Sequence, residues 1–385
     1  MLPYFRPMSE QVHIIHTVIN DLSGDQRLHR ICSTLSEAGY AVTLVGRKLP
    51  DSKKLSQRPY QTHRFRLPVH TGKWFYLIYT LRLFFWLLGQ KADIITANDL
   101  DTLLACYFAA KIKRVKLLYD SHELFTEVPE LINRPFTRQI WVMLEKWLVP
   151  KLDMAYTVNG SLANIFTEQY QTSFKVIRNV PFQREGSPRI HLPTVLLYQG
   201  ALNLGRGIDL MIDAMNFLPD YQLWIVGRGD VEEALKKQAE SIPDGRVVFH
   251  GFKPLEELAE LTKQAGLGFS LEEDRGANYH YASPNKVYDY LQARMPVIVS
   301  DLPEMASLIE TWRCGKILPL SERTPERLAE LVREMFDSQL ILEEYSRNAD
   351  LAARELIWER ETELLLDLYQ KRLQPLQERS RTNSY

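Results

Sequence analysis

Short apolar runs alternate with amphipathic stretches along most of this chain, and this alternation limits its possible folds more than any other feature of the sequence. An apolar run of about four to eight residues is typical of a buried strand, and the stretches between the runs have the period of a helix. Strands joined by helices form parallel sheets, because a parallel crossover needs a connection of that length. The pattern therefore predicts the α/β fold class.

The alternation occurs twice, with a break at residues 178–193, where prolines and a glycine stand among polar residues, as is typical of a linker. A chain of 385 residues is also too long for one ordinary core. We therefore predict two Rossmann-like, doubly wound domains at 1–180 and 181–350, followed by a helix and a polar tail at 351–385. Open α/β sheets bind ligands at the carboxyl ends of their strands, so we expect the two domains to face a central cleft.

The predicted strands follow the apolar runs. In the first domain they are 11–18, 41–45, 93–97, 116–119, 154–158 and 175–177. In the second they are 194–199, 221–226, 247–250, 267–271, 296–300 and 316–318. Helices are predicted between most of them, and helices dominate from Thr324 onward.

Composition excludes several classes of protein. Lys and Arg number 47 against 48 Asp and Glu, so the formal net charge is −1, which argues against a protein built to bind nucleic acid. With 45% hydrophobic and 25% charged residues the chain is expected to be globular. Its three cysteines, Cys32, Cys106 and Cys314, form no CxxC pair, which predicts neither a disulfide framework nor a zinc site. The first eleven residues lack the apolar stretch of an export signal, so we expect a cytoplasmic protein.

A glycine-spaced loop at residues 198–207 follows a predicted strand and precedes a helix that begins near Ile208. Glycines at 200, 205 and 207 let backbone N–H groups approach an anion, and Arg206 adds a permanent positive charge. The implied ligand is a phosphate or diphosphate. The alternative is an ordinary structural turn that happens to carry one arginine.

The stretch at residues 283–290 predicts a second helix start. Ser283 suits the N-cap position and Pro284 the first helical position. A cation in the first turn, Lys286, opposes the helix dipole unless an anion lies nearby. Asn285 and the carboxylate of Asp289 could hold sugar hydroxyls. The alternative is that Lys286 and Asp289 are solvated helix charges.

Two acidic stretches end strands of the first domain. Residues 120–123 read Asp-Ser-His-Glu, and His122 could donate to a sugar hydroxyl or a phosphate while a neighbouring carboxylate orients it. The alternative is a structural histidine. Asp99 and Asp101 form a D-x-D pattern that could bind a divalent ion, but Asp101 is also placed to cap the next helix near Thr102.

Together these stretches resemble the family-four glycosyltransferases, which have the GT-B fold and transfer sugars with retention of configuration. Residues 20–27, 223–229 and 248–252 add to the resemblance, and the likeness is greatest to members with DSHE and PNKxxDY motifs. It implies that Arg206 binds the diphosphate, that Asp289 holds the ribose, and that His122 faces the transferred sugar. It also implies helices that cross back to the first domain.

The resemblance extends the two binding sites. The donor site is predicted to comprise Gly200, Gly205, Arg206, Gly227, Phe252, Ser283, Pro284, Asn285, Lys286 and Asp289, and the acceptor site Asp25, Arg27, Asp99 and Glu123. Two positions depart from the family pattern, since Tyr281 replaces the first acid of E-x7-E and Ala201 replaces an arginine. We therefore expect Lys286 to supply the missing cation, close to Arg206, and residues 278–283 to contact the sugar in another way.

The implied activity is transfer of a sugar from a nucleotide-sugar donor to a glycan or lipid-linked acceptor, in cell-surface polysaccharide or glycolipid synthesis. Neither metal nor cofactor is implied, because fixed cations and helix N–H groups can stabilise a departing diphosphate. His122, Arg206 and Lys286 are the expected catalytic residues. The alternatives are an epimerase acting on nucleotide sugars and a non-catalytic partner that binds them. The sequence leaves the donor, the acceptor, the linkage and the oligomeric state open.

A possible membrane contact lies at residues 47–88. Eight Lys or Arg residues stand between positions 47 and 73 against a single acid, Asp51, and the aromatic stretch Trp74–Leu88 follows. A basic segment beside an apolar helix can lie on an anionic membrane, here the inner face of the cell membrane. The alternative is a helix buried in the domain. Its 15 residues fall short of a membrane span, so we predict no transmembrane helix.

Overall fold

A computed structural model describes residues 11–128, 131, 134–184 and 192–382, with residues 192, 193 and 372–382 by backbone alone. The chain divides into two compact units. Unit 1 consists of the residues up to Asn179 together with those from Glu361 onward, and unit 2 of Val180–Arg360. The predicted linker at 178–193 lies partly outside the described residues.

Unit 1 is built on a seven-stranded sheet in the order β3-β2-β1-β4-β5-β6-β7, and every strand pair is parallel. Its strands are β1 His13–Asp21, β2 Ala41–Lys48, β3 Gln61–Arg66, β4 Ile94–Asn98, β5 Lys116–Ser121, β6 Met154–Thr157 and β7 Phe174–Val176. Its helices are α1 Gln26–Glu37, α2 Gly72–Leu88, α3 Leu100–Lys113, α4 Pro135–Leu148 and α5 Gly160–Tyr170.

Unit 2 is built on a six-stranded sheet in the order β10-β9-β8-β11-β12-β13, again with parallel pairs throughout. Its strands are β8 Leu192–Gln199, β9 Gln222–Val226, β10 Val247–Gly251, β11 Ala265–Ser270, β12 Val297–Ser300 and β13 Gly315–Leu318. Its helices are α6 Ile208–Ala214, α7 Glu232–Ala239, α8 Leu255–Gln264, α9 Ala277–His280, α10 Asn285–Gln292, α11 Pro303–Trp312, α12 Pro325–Phe336 and α13 Gln339–Glu355.

The C-terminal helix α14, Trp358–Thr382, belongs to unit 1 from Glu361 onward. Tyr369 on this helix is buried, and its hydroxyl lies 3.1 Å from the Thr96 hydroxyl on β4 and 3.2 Å from Nε2 of His16 on β1. Glu361 accepts a hydrogen bond from the backbone N–H of Arg178 at 2.8 Å. These contacts tie the helix to the sheet of unit 1.

The two parallel sheets confirm the predicted α/β class with Rossmann-like units, and each predicted strand has a counterpart in the structure. One strand was missed. In β3, with sequence QTHRFR, Phe65 is the one buried side chain, because this strand forms the edge of its sheet. A polar edge strand lacks the apolar run by which the others were predicted.

Two of the predicted helix starts were wrong. Helix α10 begins at Asn285 with Pro284 at the N-cap position, where Ser283 was expected to cap and Pro284 to be helical. Helix α3 begins at Leu100 with Asp99 at the N-cap, so Asp101 lies inside the first turn and does not cap. Within the described residues, every helix is too short or too polar to cross a membrane.

Candidate functional site

In unit 1, four charged side chains meet at the carboxyl ends of β4 and β5. The Arg27 guanidinium on α1 donates two hydrogen bonds to the Asp120 carboxylate, at 2.9 and 3.0 Å, and a third to the Ile177 carbonyl at 2.9 Å. His122 places Nε2 at 3.0 Å from Asp120 and Nδ1 at 3.2 Å from Asp99. Arg27 and Asp120 are buried, and they fix the geometry of the cluster.

The charges of this cluster balance. Burial opposes a charged imidazole, but the carboxylates of Asp99 and Asp120 outweigh it and raise the pKa of His122 well above its usual value. Burial likewise opposes ionisation of Asp120, but Arg27 and His122 together lower its pKa. Two cations and two carboxylates therefore cancel. Because both nitrogens of His122 are engaged, a ligand reaches one only by displacing a carboxylate.

Asp99 has a strained backbone, with φ of 64° in a region that non-glycine residues rarely adopt. This conformation lets its carboxylate accept from the His122 backbone N–H at 3.1 Å as well as face the imidazole. Such strain persists where the surroundings enforce it, often at functional sites. The predicted histidine site thus depends on Asp99 and on Arg27, which was expected to bind an acceptor.

The other predicted unit 1 residues have different surroundings. Asp25 caps α1 by accepting from the Leu28 N–H at 3.0 Å, a structural role that its assignment to the acceptor site did not include. Glu123 is half-buried beside the cluster. Asp101 is buried, and burial together with the Asp99 charge raises its pKa well above the usual value, so the D-x-D pattern does not present two free carboxylates. Among the described residues no group of three His, Cys, Asp or Glu could hold a metal ion.

In unit 2, two cations converge on one buried carboxylate. Glu272, which follows β11, accepts from Lys286 Nζ at 2.6 Å and lies 3.5 Å from Arg206 Nη1 through the same oxygen. Its other oxygen accepts from the Ser270 hydroxyl at 2.7 Å. The structure therefore brings Arg206 and Lys286 together. The carboxylate that joins them was not predicted from the sequence.

This second cluster carries an excess of positive charge. Burial would raise the pKa of Glu272, but Lys286, Ser270 and Arg206 together lower it, so the group is a carboxylate. Burial lowers the pKa of Lys286, Arg206 lowers it further, and Glu272 opposes both. With Lys286 charged, two cations share one carboxylate and the sum is +1. Arg206 remains about 29% exposed, so an anion can reach it.

Aromatic rings and glycines complete the surroundings of these cations. Lys286 Nζ lies 4.4 Å from the centre of the Tyr198 ring, and the Arg206 guanidinium 5.4 Å from that of Tyr279. A Cβ on Gly200 would lie 3.5 Å from Cε of Lys286, and one on Gly227 only 1.8 Å from the Gly200 carbonyl oxygen. Both glycines have positive φ, 140° and 148°, so a side chain at either position would be strained.

Asp289 lies one helical turn beyond Lys286 on α10 and already has partners. Its carboxylate accepts from the Arg184 guanidinium at 2.9 Å and from the Gln199 amide at 3.3 Å. The same face of the helix carries both Asp289 and Lys286, at positions three residues apart. A ribose hydroxyl at Asp289 would share or replace the bond from Arg184.

The remaining predicted donor residues lie around this cluster at varying exposure. The Ser283 hydroxyl pairs with that of Tyr288 at 3.1 Å, and Asn285 is exposed in the first turn of α10. The Gly205 carbonyl accepts from the Glu273 N–H at 2.9 Å. Phe252, after β10, is 59% exposed.

The two positions that depart from the family pattern have local contacts. Tyr281 ends the short helix α9 and meets the His280 ring edge-on at 4.6 Å between ring centres. The Ala201 carbonyl accepts from the Tyr198 hydroxyl at 2.7 Å. Neither position supplies a charge to the cluster.

Three arginines of the basic segment predicted to contact a membrane have partners inside unit 1. Arg47 donates to the His70 carbonyl at 3.0 Å, Arg58 to the Leu22 carbonyl at 2.8 Å, and Arg64 pairs with Asp21 at 3.4 Å. The helix that follows is neither fully buried nor fully exposed. One side, with Phe75, Tyr79, Leu83 and Leu87, is buried, and the opposite side is open.

Residues of this same segment line a cavity of about 310 Å³ at the carboxyl ends of β2 and β3. Lys48, Arg66 and His70 line it together with Leu49, Pro50 and Leu67. Nδ1 of His70 is buried and has no hydrogen-bond partner among the described residues. Basic groups without an acid in the lining could hold an anionic group.

Comparisons with known proteins divide the chain in a similar way. Residues 25–181 match the family model of glycosyltransferase family 4, and residues 180–354 match that of glycosyl transferases group 1. No curated protein sequence matches the chain.

Solved structures of similar fold cover nearly the whole chain. Sucrose-phosphate synthase from Thermosynechococcus elongatus is 17% identical with a TM-score of 0.75, covering 94% of this chain and 99% of its own. HepE from Anabaena, in complex with UDP and glucose, is 15% identical with a TM-score of 0.70, covering 93% and 99%. WaaG, a glycosyltransferase involved in lipopolysaccharide biosynthesis, is 16% identical with a TM-score of 0.66, covering 92% and 99%. At these identities the likeness shows the fold, which is the two-domain GT-B fold.

Proposed function

We propose that this chain, a glycosyltransferase that joins a family 4 domain to a group 1 domain, moves a sugar from a nucleotide-sugar donor to a glycan or lipid-linked acceptor. We further propose that it retains the anomeric configuration and acts in cell-surface polysaccharide or glycolipid synthesis. The structure of HepE has been solved with UDP-glucose, and that of another protein of similar fold, the pneumococcal O-GlcNAc transferase GtfA, with UDP and GlcNAc, which supports a nucleotide donor here.

One observation carries the proposal: Arg206 and Lys286 converge on Glu272 and leave an excess positive charge. Departure of a nucleoside diphosphate builds negative charge on phosphate oxygens, and cations that are already in position stabilise that charge without reorganising. Burial of Lys286 strengthens its interaction with an anion, because the surroundings screen less than water. The donor therefore binds to unit 2 with its diphosphate at these two side chains.

The chemistry that we propose needs no cofactor, since the nucleotide sugar is a co-substrate, and no metal ion. The two cations and the N–H groups at the start of α10 take the place that a divalent ion would fill. Turnover is expected to be unchanged after treatment with EDTA. A loss of activity that Mg²⁺ or Mn²⁺ restores would contradict this part of the proposal.

In unit 1 we propose an acceptor site around His122 and Asp99. The cluster is electrically balanced, so it suits neutral hydroxyl groups better than an anion. The basic cavity at Lys48, Arg66 and His70 supports an acceptor that also carries an anionic group, as a lipid-linked glycan does.

The test is a thermal-shift screen of nucleotide sugars followed by a turnover assay with the donor that binds. We expect the donor to raise the melting temperature in proportion to the logarithm of its concentration. Arg206→Ala and Asp289→Ala are expected to lower turnover by about 10²-fold or more while circular dichroism stays unchanged, and Arg333→Ala, on the exposed side of α12, serves as the control. Unchanged turnover in both site variants would remove the assignment.

The same assay separates the alternatives. Incubating the donor without acceptor should give at most slow hydrolysis. An isomerised nucleotide sugar would indicate an epimerase, and saturable donor binding without turnover for any acceptor would indicate a binding partner. One feature favours the non-catalytic binding partner, since Tyr281 stands where the family has an acid.

A further inference from the structure

Unit 1 exposes large apolar side chains in rows on three helices. Within each row the residues are three or four positions apart, so they share one face of their helix. Each is between 41% and 79% exposed. The rows are Trp74, Leu77, Leu81 and Phe85 on α2, Phe108 and Ile112 on α3, and Phe136, Ile140, Met143 and Trp147 on α4.

The three rows belong to one surface, because the helices that carry them pack side by side. The rings of Tyr76 on α2 and Trp141 on α4 lie 5.5 Å apart between centres. Those of Phe108 on α3 and Trp147 on α4 lie 6.0 Å apart. We call the outward side of α2, α3 and α4 the three-helix face. A contiguous apolar surface of this kind on a folded domain marks an interaction site.

The exposed charges that these three helices themselves carry have one sign. The helices carry six basic residues and two acids. Both acids, Asp101 and Glu145, are buried, and burial raises the pKa of Glu145 to about 7. The basic residues are Lys73, Arg82, Lys111, Lys113, Arg138 and Lys146, of which Arg138 is paired with Glu127.

Several of these cations lie close to the exposed aromatic rings. Lys73 Nζ is 5.8 Å from the centre of the Trp74 ring, and Lys151, just beyond α4, is 4.4 Å from that of Trp147. In the part of the chain that the structure describes, no acid lies within ion-pair distance of Lys73, Lys146 or Lys151. Their charge is therefore available to an external anion.

We propose that the three-helix face binds the surface of an anionic phospholipid bilayer, with its apolar rows at the boundary between headgroups and acyl chains and its lysines on the phosphates. Aromatic and aliphatic side chains bordered by Lys and Arg are typical of protein surfaces that lie in the headgroup region of an anionic bilayer. Each lysine near an anionic surface adds to the affinity. This inference is independent of the transfer reaction proposed above.

Charge argues against a second copy of the chain as the occupant. A symmetric dimer would place the same face on both sides of its interface, so two faces whose exposed charges are mostly basic would meet. The buried Asp101 and Glu145 could not neutralise them. An anionic lipid surface supplies the opposite charge and accepts the apolar rows together.

The test is sedimentation of the full-length protein with vesicles of phosphatidylcholine alone and of phosphatidylcholine mixed with phosphatidylglycerol. We expect binding to the mixed vesicles that weakens as salt rises. Phe136→Ser combined with Met143→Ser should lower vesicle affinity more than about tenfold. The matched control is Leu340→Ser on α13 in unit 2, where the leucine is 77% exposed.

Charge is tested separately. Lys146→Gln should lower the affinity about fivefold, whereas Lys237→Gln on α7, also exposed, should leave it unchanged. The inference is overturned if the wild type stays in the supernatant with both vesicles or if the Phe136/Met143 variant binds like the wild type. Dimerisation of the wild type that depends on protein concentration and is lost in the Phe136/Met143 variant would also overturn the inference. Thermal shift by the nucleotide sugar should be the same in all four variants, so failure here leaves the proposed reaction standing.

Discussion

The charge clusters of the two units differ in whether their positive and negative charges cancel. In unit 1, Arg27 and His122 face Asp99 and Asp120, and the four charges cancel. In unit 2, Arg206 and Lys286 share Glu272, and one positive charge is left over. The first cluster is complete without a ligand. The second is complete only when an anion joins it.

This difference in charge balance predicts different roles for the two clusters. A balanced buried network holds its members in one arrangement, so removing a member mainly costs stability. An unbalanced one interacts more strongly with a charge that develops during the reaction, so removing a member mainly costs rate. The predictions below test this division, beginning with the largest expected effect.

Asp120→Asn should destabilise unit 1 by about 3–5 kcal/mol, because it leaves the buried Arg27 guanidinium without its carboxylate. Urea unfolding measures the loss. The control is Asp367→Asn, which breaks an exposed pair with Lys371 in the same unit and should cost at most about 1 kcal/mol. Equal effects of the two substitutions would mean that the Arg27–Asp120 pair does not hold the unit together.

Arg206→Ala should lower kcat about 10²–10³-fold, the usual cost of removing one fixed group that stabilises transition-state charge. Its unfolding free energy should change little, since Arg206 is partly exposed and Lys286 still neutralises Glu272. Steady-state kinetics and urea unfolding on the same preparation measure both quantities. A variant that loses stability but keeps its rate would reverse the roles assigned to the two clusters.

Sequence patterns predicted the elements that position these clusters wherever a buried element is rich in apolar residues. All five residues of β4, IITAN, are buried, and three of them are apolar, which is enough to predict a strand. The glycine loop and the start of α10 placed Arg206 and Lys286 at one end of the sheet, because parallel strands present their carboxyl ends at the same edge. The edge strand β3 has no such apolar residues in succession, so the same pattern did not predict it.

Glu272 was missed for a different reason. In the sequence it stands beside Glu273 and Asp274, like solvated charges of a loop, and only the fold brings Lys286 within 2.6 Å of it. Asp25 shows the converse, since the resemblance places it in the acceptor site, whereas its position before α1 suits an N-cap and the structure shows it capping that helix. Pairing between residues on different elements is a tertiary property that no local pattern contains.

Glu272→Gln should sharpen the comparison in unit 2. The substitution keeps an acceptor for Ser270 but removes the charge that holds both cations, so the free protein should melt at a lower temperature. UDP should then stabilise the variant more than the wild type, because removing a nearby like charge strengthens anion binding by on the order of 1 kcal/mol, or about fivefold in affinity.

Differential scanning fluorimetry with and without UDP gives both values for Glu272→Gln. Glu334→Gln, which removes the exposed partner of Lys316, is the control and should leave the UDP shift unchanged. A smaller UDP shift in Glu272→Gln than in the wild type would show that the carboxylate positions Arg206 and Lys286 for the donor rather than competing with it.

The pH dependence of donor turnover is expected to show the smallest effect, and it tests Lys286 most specifically. Burial lowers the pKa of Lys286, so this side chain loses its charge at a lower pH than an exposed lysine. The wild-type kcat/KM for the donor should therefore fall as pH rises toward the ordinary lysine pKa of about 10.4. In Lys286→Arg the guanidinium keeps its charge, and the alkaline limb should move up by about one pH unit or more. Lys263→Arg, on α8, should leave it in place. An alkaline limb that is the same in Lys286→Arg and the wild type would mean that the excess charge of unit 2 does not depend on this lysine.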